Sequence, residues 1–177
     1  MSIVKLSRLP MFASVPRSDL EDLLRRAPSQ QHARGTALFQ QGDAAEDAVL
    51  LVDGMLGVSV QVGSLSRQVG SVRPGEIAGE QGLFVRGGVR NALVVATQPS
   101  VTLRLTPGLL QAARGNAAVV ALEQQLIATL ARRVRSTNLA IQKAWKEEAR
   151  LRSTQQPATP NAPTFRDRLM SLFGARS

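Results

Sequence analysis

The chain has no cysteine and no tyrosine, and it has one tryptophan and one histidine in 177 residues. Without cysteine there is no disulfide framework, no thiolate metal site and no thiol nucleophile. The single histidine, His32, gives no basis for a histidine-built metal site or catalytic triad. It stands in the polar stretch Ser29-Gln30-Gln31-His32-Ala33-Arg34, where a plain surface role is expected. One Trp and five Phe provide little for base stacking. No apolar run approaches the roughly 18 residues that cross a bilayer. The N-terminus also lacks the apolar stretch of a secretory signal, so a cytoplasmic location is expected. Neither a nucleophile–base pair nor a Gly-x-x-x-x-Gly-Lys phosphate loop is visible, and the expectation is a non-enzyme without metal.

What the chain does have is positive charge, unevenly placed. The net charge is +9; residues 116–177 hold 10 Lys/Arg against 4 Asp/Glu, while residues 1–115 hold 12 against 9. Any attraction to anionic surfaces should come from the C-terminal third. A solvated helix face is favoured over nucleic-acid binding there. A nonspecific nucleic-acid binder would instead show steeply salt-dependent binding to duplex DNA.

Residues 8–28 read as helical. Ser18 with Glu21 forms a candidate capping box, and Pro28 is the stop. From 36 to 106 the pattern changes to short apolar runs punctuated by glycine: 36–39, 48–52, 56–62, 67–72, 92–96 and 101–105. Short strands with turn signals at this spacing predict an antiparallel sandwich or barrel. Residues 107–114 read as a short helix ending near Gly115. Asn116 then caps a long helix to about Arg152, with Val119, Leu122, Leu126, Leu130, Val134, Ile141 and Trp145 on one apolar stripe. Such a stripe suits packing or a parallel, two-stranded dimer seam.

The segment Gly79-Glu80-Gln81-Gly82-Leu83-Phe84 followed by Arg90-Asn91-Ala92 sets a carboxylate and a guanidinium about a glycine-rich turn. Glycine frees backbone N–H groups to form an anion nest, and Arg adds a charge-assisted contact to phosphate. Glu suits a sugar hydroxyl, from which it accepts hydrogen bonds. The same residues also describe a solvated hairpin with a structural ion pair.

The segment resembles the phosphate-binding cassette of cyclic-nucleotide-binding domains, in particular the bacterial catabolite activator branch. Gln41-Gly42-Asp43, Val49 to Val52, Gly54 and Val58-Ser59-Val60 resemble the first half of that family's jelly roll. The resemblance implies an α+β fold: an antiparallel jelly roll flanked by N-terminal helices and a long C-terminal helix. It implies that Arg90 takes a cyclic phosphate and Glu80 the ribose hydroxyl, within a site of Gly79, Glu80, Gln81, Gly82, Leu83, Arg90, Asn91 and Ala92. Leu83 and Val94 would line the sugar side. Thr137 and Asn138 match the pair on the branch's central helix that reaches the purine from two subunits. Asn91 departs from the family's Ser, Thr or Ala, and Asn138 from its Ser. The implied ligand is cAMP or cGMP, with a cyclic dinucleotide as a third option, and the implied assembly is a homodimer through the long helix.

The domains expected are therefore 8–152 for the binding domain with its helix, 153–164 for a Pro-rich linker and 165–177 for a short amphipathic tail. Phe165, Leu169, Leu172 and Phe173 share one helical face of that tail, with Thr164 as cap and Gly174 as end. A helix this short needs a partner protein, its own domain or an anionic membrane surface to fold against. Only residues 153–177 follow the long helix, so no reading head for sequence-specific DNA is expected. Two functions remain: a stand-alone receptor that signals to a protein partner, or a structural adaptor that kept the fold and lost its ligand.

Overall fold

A computed structural model describes residues 3–155, with side chains described to Arg152. The tail at 165–177 and residues 156–164 of the expected linker lie outside the described residues. Residues 1–132 form one compact unit and residues 133–177 belong to a second.

The first unit begins with α1 (Ile3–Ser7), a single 3-10 turn at Pro10–Phe12 and α2 (Arg17–Arg26). The helix α2 starts without a side-chain cap, so the expected Ser18–Glu21 capping box does not form. Pro16 already fixes the backbone ahead of the first turn. Glu21 instead accepts from Arg17 Nε at 2.9 Å, one helical turn away.

Eight strands follow: β1 (Ser29–His32), β2 (Ala37–Phe39), β3 (Ala48–Asp53), β4 (Leu56–Val62), β5 (Leu65–Val72), β6 (Ile77–Ala78), β7 (Leu93–Ala96) and β8 (Ser100–Leu105). They form two four-stranded antiparallel sheets in the orders β1-β8-β3-β6 and β2-β7-β4-β5. This is the expected jelly roll. A short helix, α3 (Gln81–Phe84), interrupts the strands, and α4 (Pro107–Ala112) and α5 (Ala117–Gln155) follow them.

The strand β3 shows why the fold has two cores. Successive side chains on a strand point to opposite faces. Ala48, Leu50 and Val52 enter a core shared with the N-terminal helices and with Leu103, Leu105, Val119, Leu122 and Leu126. Val49 and Leu51 face a second core of Leu56, Val72, Ala78, Val94 and Ala96. A strand buried on both sides reads as the unbroken apolar run seen at 48–52.

Two strands were not expected. The strand β1 is polar and mostly exposed, yet it pairs in full with β8, so backbone hydrogen bonds rather than apolar burial place it. His32 is accordingly more than a surface residue. It is half-buried with Nε2 2.9 Å from Thr102 Oγ1, and burial pushes its pKa below the usual value. The strand β6 has two residues, too few for any period to show.

Asn116 does cap α5, accepting from the N–H groups of Ala118 at 2.8 Å and Val119 at 3.3 Å. Asp19 on α2 reinforces the cap by accepting from the Ala117 N–H at 2.8 Å. The helix runs to Gln155, so Ser153, Thr154 and Gln155 end α5 rather than begin the linker.

Candidate functional site

The cassette lies between β6 and β7. Gly79 has φ 77°, and a Cβ there would stand 2.5 Å from Arg90 Nη1 and 2.7 Å from the Phe39 ring. Both the left-handed backbone and the close approach require glycine. Gly82 sits where a Cβ would meet the Asp47 backbone at 2.5 Å. Gly82 thus seats α3 against the segment that leads into β3, and Gly79 makes room for Arg90 and the Phe39 ring. The amides of Gly82, Leu83 and Val85 bond the carbonyls of Gly79, Glu80 and Gln81 at 2.9–3.0 Å. That corrects the expected nest in part: three of its amides are used within the turn.

Arg90 is held from both ends. Its backbone N–H donates to Asp43 O at 2.7 Å, and its carbonyl accepts from Gly42 N at 2.8 Å. Its side chain is 7% exposed. The guanidinium lies 3.7 Å above the centroid of the Phe39 ring, a cation–π contact. Nη1 donates to the carbonyls of Asp47 at 2.7 Å and Gly79 at 3.3 Å. Nη2 forms a short ion pair with Asp47 Oδ1. A buried charge needs such partners, because desolvation would otherwise cost several kcal/mol.

Asp47 is the residue that sequence reasoning missed. It is 8% exposed, and its second oxygen pairs with Arg104 Nε from β8. Nothing in Ala44-Ala45-Glu46-Asp47-Ala48 distinguishes it from the exposed Glu46 next to it. The signal lies in the partners, 43 and 57 residues away along the chain.

Of the expected site residues, Glu80 is buried at 3% exposure and adjoins Gly79, whose carbonyl Arg90 touches. Asn91 and Gln81 are brought together, Asn91 Nδ2 donating to Gln81 Oε1 at 2.8 Å, both exposed. Ala92 is half-buried. Leu83 and Val94 do not share one lining: Leu83 packs into the helix-side core and Val94 into the core between the sheets. Thr137 and Asn138 are exposed on α5 within the second unit. No metal-binding group of His, Cys, Asp or Glu occurs among the described residues, and none of the described helices is long and apolar enough to cross a membrane.

Two antiparallel four-stranded sheets, a short helix between glycines and a buried arginine define a jelly roll with a glycine-framed cassette. Comparison with known proteins places it more narrowly. The family model "Cyclic nucleotide-binding domain" matches residues 29–115. This segment of the chain belongs to the cyclic nucleotide-binding domain family.

The fold is similar to the catabolite activator protein of Thermus thermophilus, with TM-score 0.67 and 28% identity over 80% of this chain and 65% of that one. It is similar to the N-terminal domain of a transcriptional regulator from Streptomyces coelicolor A3(2), with TM-score 0.56 and 28% identity over 79% of this chain and 97% of that one. A cAMP-binding acyltransferase from Mycobacterium smegmatis matches with TM-score 0.55 and 27% identity, over 62% of this chain and 34% of that one. The chain thus spans 65% of the Thermus protein and a third of the acyltransferase. No curated protein sequence is similar to the chain.

Proposed function

We propose that the chain is a receptor for a cyclic nucleotide, cAMP or cGMP, with a regulatory rather than an enzymatic role. It relays binding to a protein partner through α5 and residues 165–177. The observation that carries this reading is the state of Arg90. It is a cation kept inside the barrel by Phe39, Gly79 and Asp47. Its Nε–H and second Nη2 hydrogen have no hydrogen-bond partner among the described residues. Two neighbouring donors of one guanidinium fit two oxygens of a phosphate. Glu80 then takes the sugar, and Gly79, Gln81, Gly82, Asn91 and Ala92 of the cassette frame the site.

The assembly we propose is a parallel homodimer through α5. Val120, Ile127, Val134 and Ile141 recur every seven residues, with Leu130 between them, and all five are exposed. Branched residues at one heptad position and Leu at the other favour two parallel strands. A ligand that binds one setting of this helix pair more tightly shifts the population toward it. The location proposed is the cytoplasm, where such a nucleotide would be met.

Calorimetry with cAMP and cGMP tests the reading. Saturation at a hundred times Kd should also raise stability by about 2.7 kcal/mol. Arg90→Ala should remove both the heat and the stabilisation. Binding that survives this substitution would overturn the phosphate assignment.

One observation favours a second reading. The Asp47 carboxylate already neutralises Arg90, as it would in an adaptor that has lost its ligand. Full activity of an Arg90→Ala, Glu80→Ala double variant in cells would support that reading.

A further inference from the structure

The ion pair between Arg90 and Asp47 poses a charge problem. A buried guanidinium paired one-to-one with a carboxylate is neutral as a unit. It offers hydrogen-bond donors to a phosphate and little net attraction. The structure holds a third charge that changes this sum. Arg104 on β8 sits opposite Val49 of β3 in the sheet register, one strand position beyond Ala48 and so two residues from Asp47. Its Nε takes the carboxylate oxygen of Asp47 that Arg90 leaves. Two cations share one anion, and the cluster carries one net positive charge.

We propose that Arg104 is a positioning residue that sets the anion affinity of the cassette through Asp47, without touching the ligand. The proposal rests on the receptor reading given above. Asp47 has two jobs in it. Its carbonyl and Oδ1 occupy Nη1 and Nη2 of Arg90, which fixes the guanidinium plane and leaves the Nε side for the ligand. Its negative charge would cancel that of Arg90. Arg104 offsets this charge, so that an incoming phosphate meets a cluster of net charge +1 rather than zero. The burial gradient fits the roles. Arg90 and Asp47 have side chains 7% and 12% exposed, where Coulomb interactions are strong, while Arg104 is 44% exposed and anchors the cluster at its rim.

The charge sum predicts an ordered series for the full-length chain, titrated with cAMP and cGMP by calorimetry. Arg104→Gln should weaken binding by about tenfold, the scale of one partly solvated charge a few ångströms further out. Arg104→Lys, which keeps the charge, should restore most of the affinity. Asp47→Asn should tighten binding, and Asp47→Asn with Arg104→Gln should return close to the parent value. The unliganded melting temperature of each variant separates loss of fold from loss of charge. Because Arg104 is half-exposed, its variants should fold even if Asp47→Asn does not.

Equal affinity of the parent and Arg104→Gln would overturn this proposal and leave the receptor standing. A weakening that Arg104→Lys fails to restore would overturn it as well, by showing a shape effect in place of a charge effect. Absence of heat from the parent with either nucleotide at millimolar concentration would refute the receptor reading, and this proposal with it.

Discussion

The two ends of α5 make an instructive comparison. Near its start, Val119, Leu122 and Leu126 are at most 1% exposed and complete the core of the first unit. Further along, Val134, Ile141 and Trp145 are 61%, 41% and 67% exposed. The residue types are alike and the helix is continuous, yet one part is core and the other is uncovered. The single apolar stripe read from the sequence therefore divides. Its first three members are closed into the core of the first unit, whereas Leu130, Val134 and Ile141, on nearly the same helical face, are exposed, as are Val120 and Ile127 beside them. Helical spacing shows that residues share a face; it does not show what covers that face.

The buried end of α5 should be the more sensitive to substitution. Leu122→Ala should destabilise the fold by about 2–5 kcal/mol, as large-to-small changes in a closed core do. Thermal or denaturant unfolding would measure it. A loss under about 1 kcal/mol would mean that the first turns of α5 are not part of the core. The exposed end should respond differently. Ile141→Asp should leave the unfolding of the first unit within about 0.5 kcal/mol and should convert dimer to monomer in sedimentation. A parent chain that sediments as a monomer at every concentration would remove the proposed seam.

The junction between the two regimes is testable through its cap. Asn116 Nδ2 donates to Asp19 O and Asp22 Oδ2, both at 3.2 Å, besides capping α5. Asn116→Ala should cost about 1 kcal/mol and should lower the helicity of α5 without altering β-sheet content. Arg26 and Arg25 hold the Asp22 carboxyl below the usual range, chiefly through the Arg26 hydrogen bond, which keeps that acceptor charged.

The smallest effect concerns His32, the single histidine of the chain. Burial favours its neutral form in the folded state. Its contribution to stability is therefore complete above the unfolded pKa of about 6.5. It is lost as pH falls from there through the lower folded value, because the unfolded chain then binds the extra proton. His32→Asn should flatten that part of the stability profile, while the helicity of the exposed part of α5 should not follow it. A profile unchanged by the substitution would show that His32 has no part in it.

How much could be read in advance varied with the kind of contact. Six of the eight strands announced themselves as short apolar runs that end at a turn residue, whether buried, as in β3, or largely exposed, as in β5. The strands β1 and β6 did not, the first being polar on an edge and the second two residues long. The capping box at Ser18 failed because Pro16 already fixes the helix start, whereas the cap at Asn116 formed because its amide reaches both α2 and α5. In the cassette, glycine and arginine positions were legible as a local pattern. The Asp47 link to Arg90 and Arg104 was not, since neither spacing nor composition singles out one acid among neighbours.

The order of apolar and turn residues was enough to determine two layers of antiparallel strands, a glycine-framed cassette with Arg90, and a long helix after Asn116. Short-range forces act between residues a few positions apart, and they leave a period in the chain. What only the folded chain decided is which charges meet and which apolar face is covered. Asp47, Arg90 and Arg104 share one cluster because the sheet register brings β3 and β8 side by side and the cassette folds over them. Electrostatics and burial depend on distance in space, and a linear order of residues does not contain that distance.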